Sequence, residues 1–398
     1  MPLITRSIPN LIGGVSQQPE VLRLENQGSV QENGFSGVVE GLKKRPPTNH
    51  IAKISNSALN NAFIHTINRD VNERYVVVIT NGSIAVHTVG GVSKTVVNAT
   101  NATNYLTSSN PQADFQCLTV NDFTFVLNKT KTVAMSSATS PAKVEQAVYT
   151  VTQGVNNTPY SITIDGTTTT FTSSNTNTKS IRDGLKSAIG SPSNITLANI
   201  GDSSFSIIKS TGTLSVTASD GFGNQASQVI KDEVQNFSDL PKDGINNMVV
   251  EVKGDASNSF DNYYVKYSSA TKVWEETVAP GIKINIDDDT MPHVLIRTAD
   301  GNFRFTQVDG STYTISSTSF DVPAFGNRKV GDLDSAPNPS FVDRKIRDIF
   351  FHRNRLGFLS DENVIMSRSG ETFEFFNETV TDALDTDPID INVAHTKV

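Results

Sequence analysis

A single cysteine, Cys117, stands among 398 residues. That excludes an internal disulfide framework and any zinc site built on paired thiolates, and a lone thiol is expected to be buried. Long apolar runs are missing as well. The strongest, 75–79 and 349–351, fall far short of the ~20 residues a helix needs to cross a bilayer. The opening Met1-Pro2-Leu3-Ile4-Thr5-Arg6 has no charged region followed by an apolar one, so no secretory signal is read and synthesis in the cytoplasm is expected. Basic charge is short: 33 Lys and Arg against 41 Asp and Glu give a net charge of −8. A chain that grips phosphates along a basic stripe has the opposite balance. Hydrophobic residues make up 36%, below the ~45–50% of globular chains in a count that includes glycine. The 26 glycines close most of that gap, so a packed core is within reach.

Catalytic spacing is equally absent. The histidines His50, His65, His87, His293, His352 and His395 are scattered, with no H-x-x-x-H pair, and there is no Walker A loop, dinucleotide fingerprint or G-x-S-x-G elbow. Asp287-Asp288-Asp289 with His293 offers oxygen ligands for a divalent cation. It lacks the glycine and spacing of a calcium loop and reads as a solvated acidic turn, as do Asp382, Asp385, Asp387 and Asp390. A carboxylate pair for glycoside hydrolysis is defined only by separation in space, so 41 acidic residues say nothing about one. The basic clusters Lys43-Lys44-Arg45 and Arg344-Lys345-Ile346-Arg347 read either as solvated faces or as partners for acidic surfaces of a neighbouring subunit. No catalytic residue, metal or cofactor is expected.

What is present is β-sheet, and the expected class is mainly β with an α+β insertion. Residues 1–60 carry punctuators (Gly13-Gly14, Pro19, Gly34, Gly37, Gly41, Pro46-Pro47) and few apolar clusters, so they are expected to lie extended against another surface as an assembly arm. In 61–145, the run 75–79, Asn81-Gly82 and 84–87 read as a hairpin with a type I′ turn. A second hairpin is expected to join 122–127 to 132–135, and a third, in 346–398, to join 348–351 to 355–359 and continue to 363–367. Three similar hairpins suggest the blades of an irregular β-propeller; unrelated antiparallel hairpins are the alternative. Between them, 146–240 reads as an inserted domain. From Tyr149 to Ser180, 19 of 32 residues are Ser, Thr or Asn, yet alternation persists through 160–172, with a turn at Asp165-Gly166. Ile181, Leu185, Ala188 and Ile189 then fall on one helix face, capped by Ser180 or Thr178. Strands at 204–208 and 214–217 and a helix at 225–237 follow. Residues 241–345 read as a further β-rich part, with three strands of one sheet at 248–252, 263–267 and 273–278, and a turn at Asp300-Gly301.

Several segments go beyond pattern. Asn10-Leu11-Ile12-Gly13-Gly14-Val15-Ser16-Gln17-Gln18-Pro19, then Arg23, Gln27 and Asn33, then Gly41-Leu42-Lys43-Lys44-Arg45-Pro46-Pro47 resemble the opening of the tail tubular protein B family. These are nozzle proteins of short-tailed, autographivirus-type phages. Tyr263-Tyr264-Val265-Lys266 with Trp274-Glu275-Glu276-Thr277, Pro280-Gly281, Thr290-Met291-Pro292-His293, and Arg353-Asn354-Arg355-Leu356-Gly357-Phe358-Leu359 through Ser367-Arg368-Ser369-Gly370 are similar too. The Ser/Thr/Asn-rich insertion has no counterpart in the resemblance. What it implies is a structural role: a hexameric tube beneath an adaptor ring, with tail fibres docked at the junction and duplex DNA passing through the lumen without specific binding. The host cell envelope is then met only indirectly. The N-terminal motif residues, with Arg355 and Leu356, become the expected assembly residues. Family chains are longer, so the closed gate is expected outside this sequence. Two rival readings remain, a tail-associated glycan or peptidoglycan hydrolase and a module that binds a host receptor through the insertion.

Overall fold

The computed structural model describes residues 10–254 and 262–393. Residues 1–9, the tip of the expected arm, and His395 lie outside the described residues. The chain divides into two compact units, one ending at Ile54 and the other starting at Ser55. In the first, a 3-10 turn at Glu20–Leu22 precedes a hairpin of β1 (Gly34–Gly37) and β2 (Gly41–Lys44). Val15 and Gly28 add a parallel bridge. The segment expected to lie extended therefore folds back on itself twice, through backbone pairing and not through a core. Gly41 is the one buried residue between 10 and 54.

The second unit is mainly β. β3 (Phe63–Asn68), β4 (Arg74–Thr80), β5 (Ser83–Thr88) and β6 (Ser93–Lys94) form a four-stranded meander. β7 (Val96–Asn98), β8 (Phe115–Val120) and β9 (Phe123–Asn128) follow. The insertion holds β10 (Gln146–Val151), β11 (Pro159–Ile164), β12 (Thr167–Thr172), the helix Thr178–Ile189, β13 (Ile195–Ile200), β14 (Ser204–Lys209), β15 (Val216–Asp220) and β16 (Ser227–Ile230). Its strands make two sheets, ordered β13-β14-β10-β16 and β12-β11-β15. Next, β17 (Glu233–Val234), β18 (Val249–Val252), β19 (Tyr263–Ser268) and β20 (Val273–Thr277) make one sheet in sequence order. β21 (His293–Arg297) and β22 (Phe303–Thr306) then complete a central sheet, β7-β22-β21-β9-β8, which joins the chain before the insertion to the chain after it. A hairpin of β23 (Thr312–Ile315) and β24 (Thr318–Asp321) precedes a second meander of β25 (Asp348–His352), β26 (Arg355–Ser360), β27 (Asn363–Met366) and β28 (Ile389–Asn392).

Alternation along the strands explains the layering. In β9 and β21, Phe125, Leu127, Val294 and Ile296 enter one core with Ile349, Leu356, Phe358 and Ile365 of the second meander. Val126 and Leu295, on the opposite face, enter another core with Tyr75, Val77, Ile79 and Val86 of the first meander. A sheet buried on both faces reads as continuous apolar runs rather than alternation, and Phe123–Asn128 reads that way. Phenylalanine fills the core beside the second meander: Phe358 lies 5.7 Å from Phe341 and 5.2 Å from Phe375, ring centre to ring centre. The insertion has its own core of Tyr149, Tyr160, Ile162, Leu185 and Phe205.

Four local expectations change. The second hairpin pairs β9 with the preceding β8, from Phe115↔Asn128 to Val120↔Phe123, not with 132–135. That segment makes only isolated bridges, to Lys345, Val342 and Ile286. The expected helix over 225–237 is instead β16, β17 and a 3-10 turn at Phe237–Asp239. Its β-branched Val229 and Ile230 suit the strand that pairs with Tyr149 and Val148. The helix Thr178–Ile189 is capped by Asn177, whose side chain accepts from the Ser180 N–H, not by Ser180 or Thr178. At Asn81-Gly82 only Gly82 takes positive φ; Asn81 Oδ1 instead accepts from the Ser108 N–H at 3.1 Å, so the turn is set by a tertiary contact and is not type I′.

Candidate assembly site

The N-terminal motif residues are brought together, and they hold one another. Gly28 donates its N–H to Gly14 O (2.8 Å), Ser16 to Gly28 O (3.0 Å) and Gly13 to Asn26 O (3.0 Å), which docks the Asn10–Pro19 stretch against 26–28. A Cβ at Gly13 would stand 2.7 Å from Gln27 Cγ and 2.9 Å from Asn26 O, so only glycine allows the approach. Gln27 Oε1 accepts from the Leu24 N–H at 3.2 Å, and Arg23 Nη2 donates to Gln18 O at 3.1 Å. Pro19 caps the 3-10 turn, and its carbonyl accepts from the Leu22 N–H. Asn33, at φ 53°, accepts through Oδ1 from Arg45 Nε at 2.7 Å, while its carbonyl takes the Arg45 N–H. Gly41 combines φ +69° with a Cβ position only 1.7 Å from Asn10 Oδ1. An L side chain is excluded there twice over.

These contacts leave the apolar side chains outside. Val21 and Val39 are each 94% exposed, and Val15, Leu22, Leu24, Val30, Phe35, Val38 and Leu42 are exposed too. Gln17, Lys44 and Pro46 are exposed and Leu11 is half-buried. Lys43 pairs with Glu40, so this basic cluster is already part-neutralised within its own unit. Polar clamps and glycines fix the backbone, and the residues that carry hydrophobic free energy face out.

Arg355 and Leu356 lie elsewhere. Leu356 is fully buried in the phenylalanine core. Arg355 is 9% exposed and donates to three carbonyls: Nη1 to Ser367 O (2.7 Å) and Asp387 O (2.6 Å), Nη2 to Asp385 O (3.0 Å). It clasps the 385–387 loop to the second meander. Other motif residues act in the same way. Glu276 accepts from Thr379 Oγ1 (2.6 Å) and the Val380 N–H (2.7 Å), and Trp274 Nε1 donates to Pro241 O (2.8 Å). The sequence did not single out Arg182 and Arg328, each only 2% exposed. Arg182 Nη1 donates to Gly201 O (2.9 Å), and Arg328 Nη2 to Asn338 Oδ1 (2.5 Å) with its guanidinium over the Phe376 ring. An arginine whose partners are backbone carbonyls leaves no mark in sequence.

The acidic and histidine candidates resolve into structural roles. Among the described residues no group of three or more His, Cys, Asp or Glu is placed to hold a metal. His293 is 1% exposed, stacks on Tyr105 at 4.2 Å, and its Nδ1 lies 3.0 Å from Met291 O. Burial lowers its pKa to about 4, so it is neutral, with Nδ1 as donor. In the acidic turn, burial and then the neighbouring Asp309, Asp287 and Asp289 carboxylates push Asp288 up to about 7. Asp390 Oδ2 accepts from the Ser340 N–H at 2.7 Å, and Asp387 Oδ2 from the Leu384 N–H at 2.8 Å. Cys117 is half-buried beside the core of the first meander, and burial pushes its thiol pKa upward.

The family model described as bacteriophage nozzle protein matches residues 1–398. The chain is also 35% identical, over 418 residues, to the tail tubular protein gp12 of Escherichia phage T7, an alignment that takes in 100% of this chain and 50% of that protein. It therefore spans about half the length of the curated relative it matches. A match over the whole chain leaves one conclusion: the chain belongs to the bacteriophage nozzle protein family, structural proteins of the virion tail.

Proposed function

We propose that this chain is one stave of a ring, a hexameric nozzle tube beneath the adaptor ring of a short tail, which docks tail fibres and conducts duplex DNA during genome ejection. The observation that carries the reading is that, among the described residues 10–54 of the N-terminal unit, one is buried, a glycine, and Val, Leu and Phe side chains are exposed. A ring of identical subunits needs head-to-tail contacts that close by rotation. An apolar unit seated on the next copy supplies such a contact, and obligate interfaces bury about 2,000–5,000 Å².

Charge supports the conduit. Duplex DNA carries one negative charge per ~1.7 Å, and basic side chains hold it by releasing counterions. A passage must let its cargo go. Six copies at −8 each give −48, which favours a bore that repels DNA. The test is mass photometry and negative stain of the intact chain, alone and with its adaptor ring, beside a variant lacking residues 1–54. Rings from the intact chain and monomers from the truncated one are expected. Rings from both, or a bore lined by a continuous Lys/Arg stripe, would contradict the reading.

One observation favours a second, compatible role. The outer face of β11, β12 and β15 presents Ser161, Thr163, Thr168, Thr170, Thr217 and Ser219, with Ser161–Thr170 and Thr163–Thr168 hydroxyl pairs at 2.8 Å. This neutral hydroxyl sheet suits contact with a host glycan. Particles whose insertion is deleted would then assemble but adsorb poorly.

A further inference from the structure

β3, at the edge of the first meander, has a free outer side. The Arg69 N–H donates to Glu73 O at 3.1 Å, so 69 and 73 are a hydrogen-bonded pair. The β3–β4 register then bonds Ile67 to Tyr75, His65 to Val77 and Phe63 to Ile79. The alternate residues Ile64, Thr66 and Asn68 turn their N–H and C=O groups away from β4. All three are exposed, and among the described residues no hydrogen bond reaches these backbone groups. Natural edges are blunted by charge, proline, a bulge or a covering element. Phe63-Ile64-His65-Thr66-Ile67-Asn68 has no Lys, Arg, Asp, Glu or Pro, pairs with β4 in unbroken register, and leaves Ile64 60% exposed. Other edges are managed: β28 carries Asp390, and β20 runs on into a bridge between Val278 and Gly331.

The hairpin of residues 34–44 has the complementary need. β1 and β2 form a sheet of their own, and two strands alone are marginal in water. The two-stranded sheet of β23 and β24 packs Tyr313 against the phenylalanine core. In β1 and β2 only Gly41 is buried. The Arg45 N–H donates to Asn33 O at 2.9 Å. By the same alternation, Gly34 and Ser36 turn their backbone groups outward from β1, and Leu42 and Lys44 turn theirs outward from β2. Lysine blunts an edge, and β2 carries Lys43 and Lys44. β1, Gly34-Phe35-Ser36-Gly37, carries no charge.

We infer that β1 of one copy adds as a further strand to the outer side of β3 of the adjacent copy, so that the hairpin extends the first meander across the subunit boundary. Main-chain hydrogen bonds supply the affinity in a strand addition. Phe35, 55% exposed, and Ile64 lie on the two strands that meet. The contact is head-to-tail: β1 and β3 are different surfaces, so it passes from copy to copy and can close a ring. The inference rests on the ring reading and names the contact that joins its members.

Crosslinking of mixed preparations of the intact chain tests it. One preparation carries Ser36→Cys and the other Thr66→Cys, each with Cys117→Ser, and a short bis-maleimide, which tolerates a shift in register, is added to the mixture. A covalent heterodimer is expected. Its absence would overturn the inference, and so would linkage confined to single chains that carry both cysteines. Thr66→Pro gives an independent reading by mass photometry. It removes an outward N–H, where an edge strand accepts proline, so the melting midpoint should be nearly unchanged while assembly weakens about tenfold or more. Thr170→Pro, on the uncharged edge strand β12, should assemble as the parent does. Rings from Thr66→Pro at parental strength would overturn the strand addition and leave the ring reading standing. A parent chain that forms no ring at any concentration would remove both.

Discussion

Residues 10–54 and the insertion differ in composition and fold in opposite ways. The first has aliphatic side chains at Leu11, Ile12, Val15, Val21, Leu22, Leu24, Val30, Val38, Val39 and Leu42 and buries none of them. The insertion is crowded with Ser, Thr and Asn, yet closes a core around Tyr149, Tyr160, Ile162, Leu185 and Phe205. The difference is spacing. In Tyr160-Ser161-Ile162-Thr163-Ile164 every second residue is apolar, so one face of the strand is continuous. The apolar residues of 10–54 come as neighbours, Val21-Leu22 and Val38-Val39, around glycines and prolines that turn the chain before a face can form. A segment that closes a core and one that leaves its apolar side chains exposed are separated here by period, not by hydrophobicity.

The sharpest way to break this comparison is to cut one apolar side chain from each region, buried in the insertion and exposed in 10–54. Leu185→Ala, at a fully buried site, should cost about 2–5 kcal/mol in chemical denaturation. Val39→Ala should change the stability of the dilute chain by less than about 0.5 kcal/mol and yet weaken assembly. Equal losses would show that 10–54 is packed like the rest. Arg355→Leu should cost about 2–3 kcal/mol, because three carbonyls, one buried and two part-buried, lose their donor, and hydrogen exchange should speed up at 385–387. An effect spread evenly over the meander would deny the clasp.

Gly41→Ala comes next. With φ +69° and Asn10 Oδ1 in the way, it should destabilise the hairpin by about 1–3 kcal/mol, seen as faster exchange within 10–54 while the melting of the second unit is unmoved. The smallest effect is expected at Asp288. Its folded carboxyl titrates at about 7 against about 3.9 unfolded, so the folded state holds the extra proton between those values. The group's contribution is intact below pH 4 and is lost as pH rises toward 7. Asp288→Asn should flatten that slope and gain on the order of 1 kcal/mol at pH 8, after allowance for the partial exposure of the site. A variant with an unchanged slope would remove this carboxyl from the account.

Much of the fold was legible because turns and alternation are local. At Asp165-Gly166 and at Arg353-Asn354 both central residues take positive φ, and the strands on either side pair in the register their apolar positions imply. What stayed hidden is non-local. β9 pairs with β21 across the whole insertion, and neither strand carries a sign of the other. β8, with Gln116, Cys117 and Thr119 among its residues, has too mixed a run to announce itself as the partner of β9. Val229, Ile230 and Val234 fit a helix face as well as a strand, and only their pairing with 148–149 and with Val252 decides. At the candidate site, Gly13, Gly14 and Gly41 were readable as backbone requirements. The carbonyl partners of Arg355 were not, since a carbonyl looks the same in every residue.

The central claim is that the apolar surface of 10–54 is completed by another copy of the chain. A cryo-electron microscopy reconstruction of the assembled protein tests it most directly. The account predicts a closed ring in which Val21, Leu22, Val38 and Val39 are buried against the adjacent subunit. A ring or a monomer in which those four side chains pack against residues 55–393 of their own chain, or stay in solvent, would contradict it.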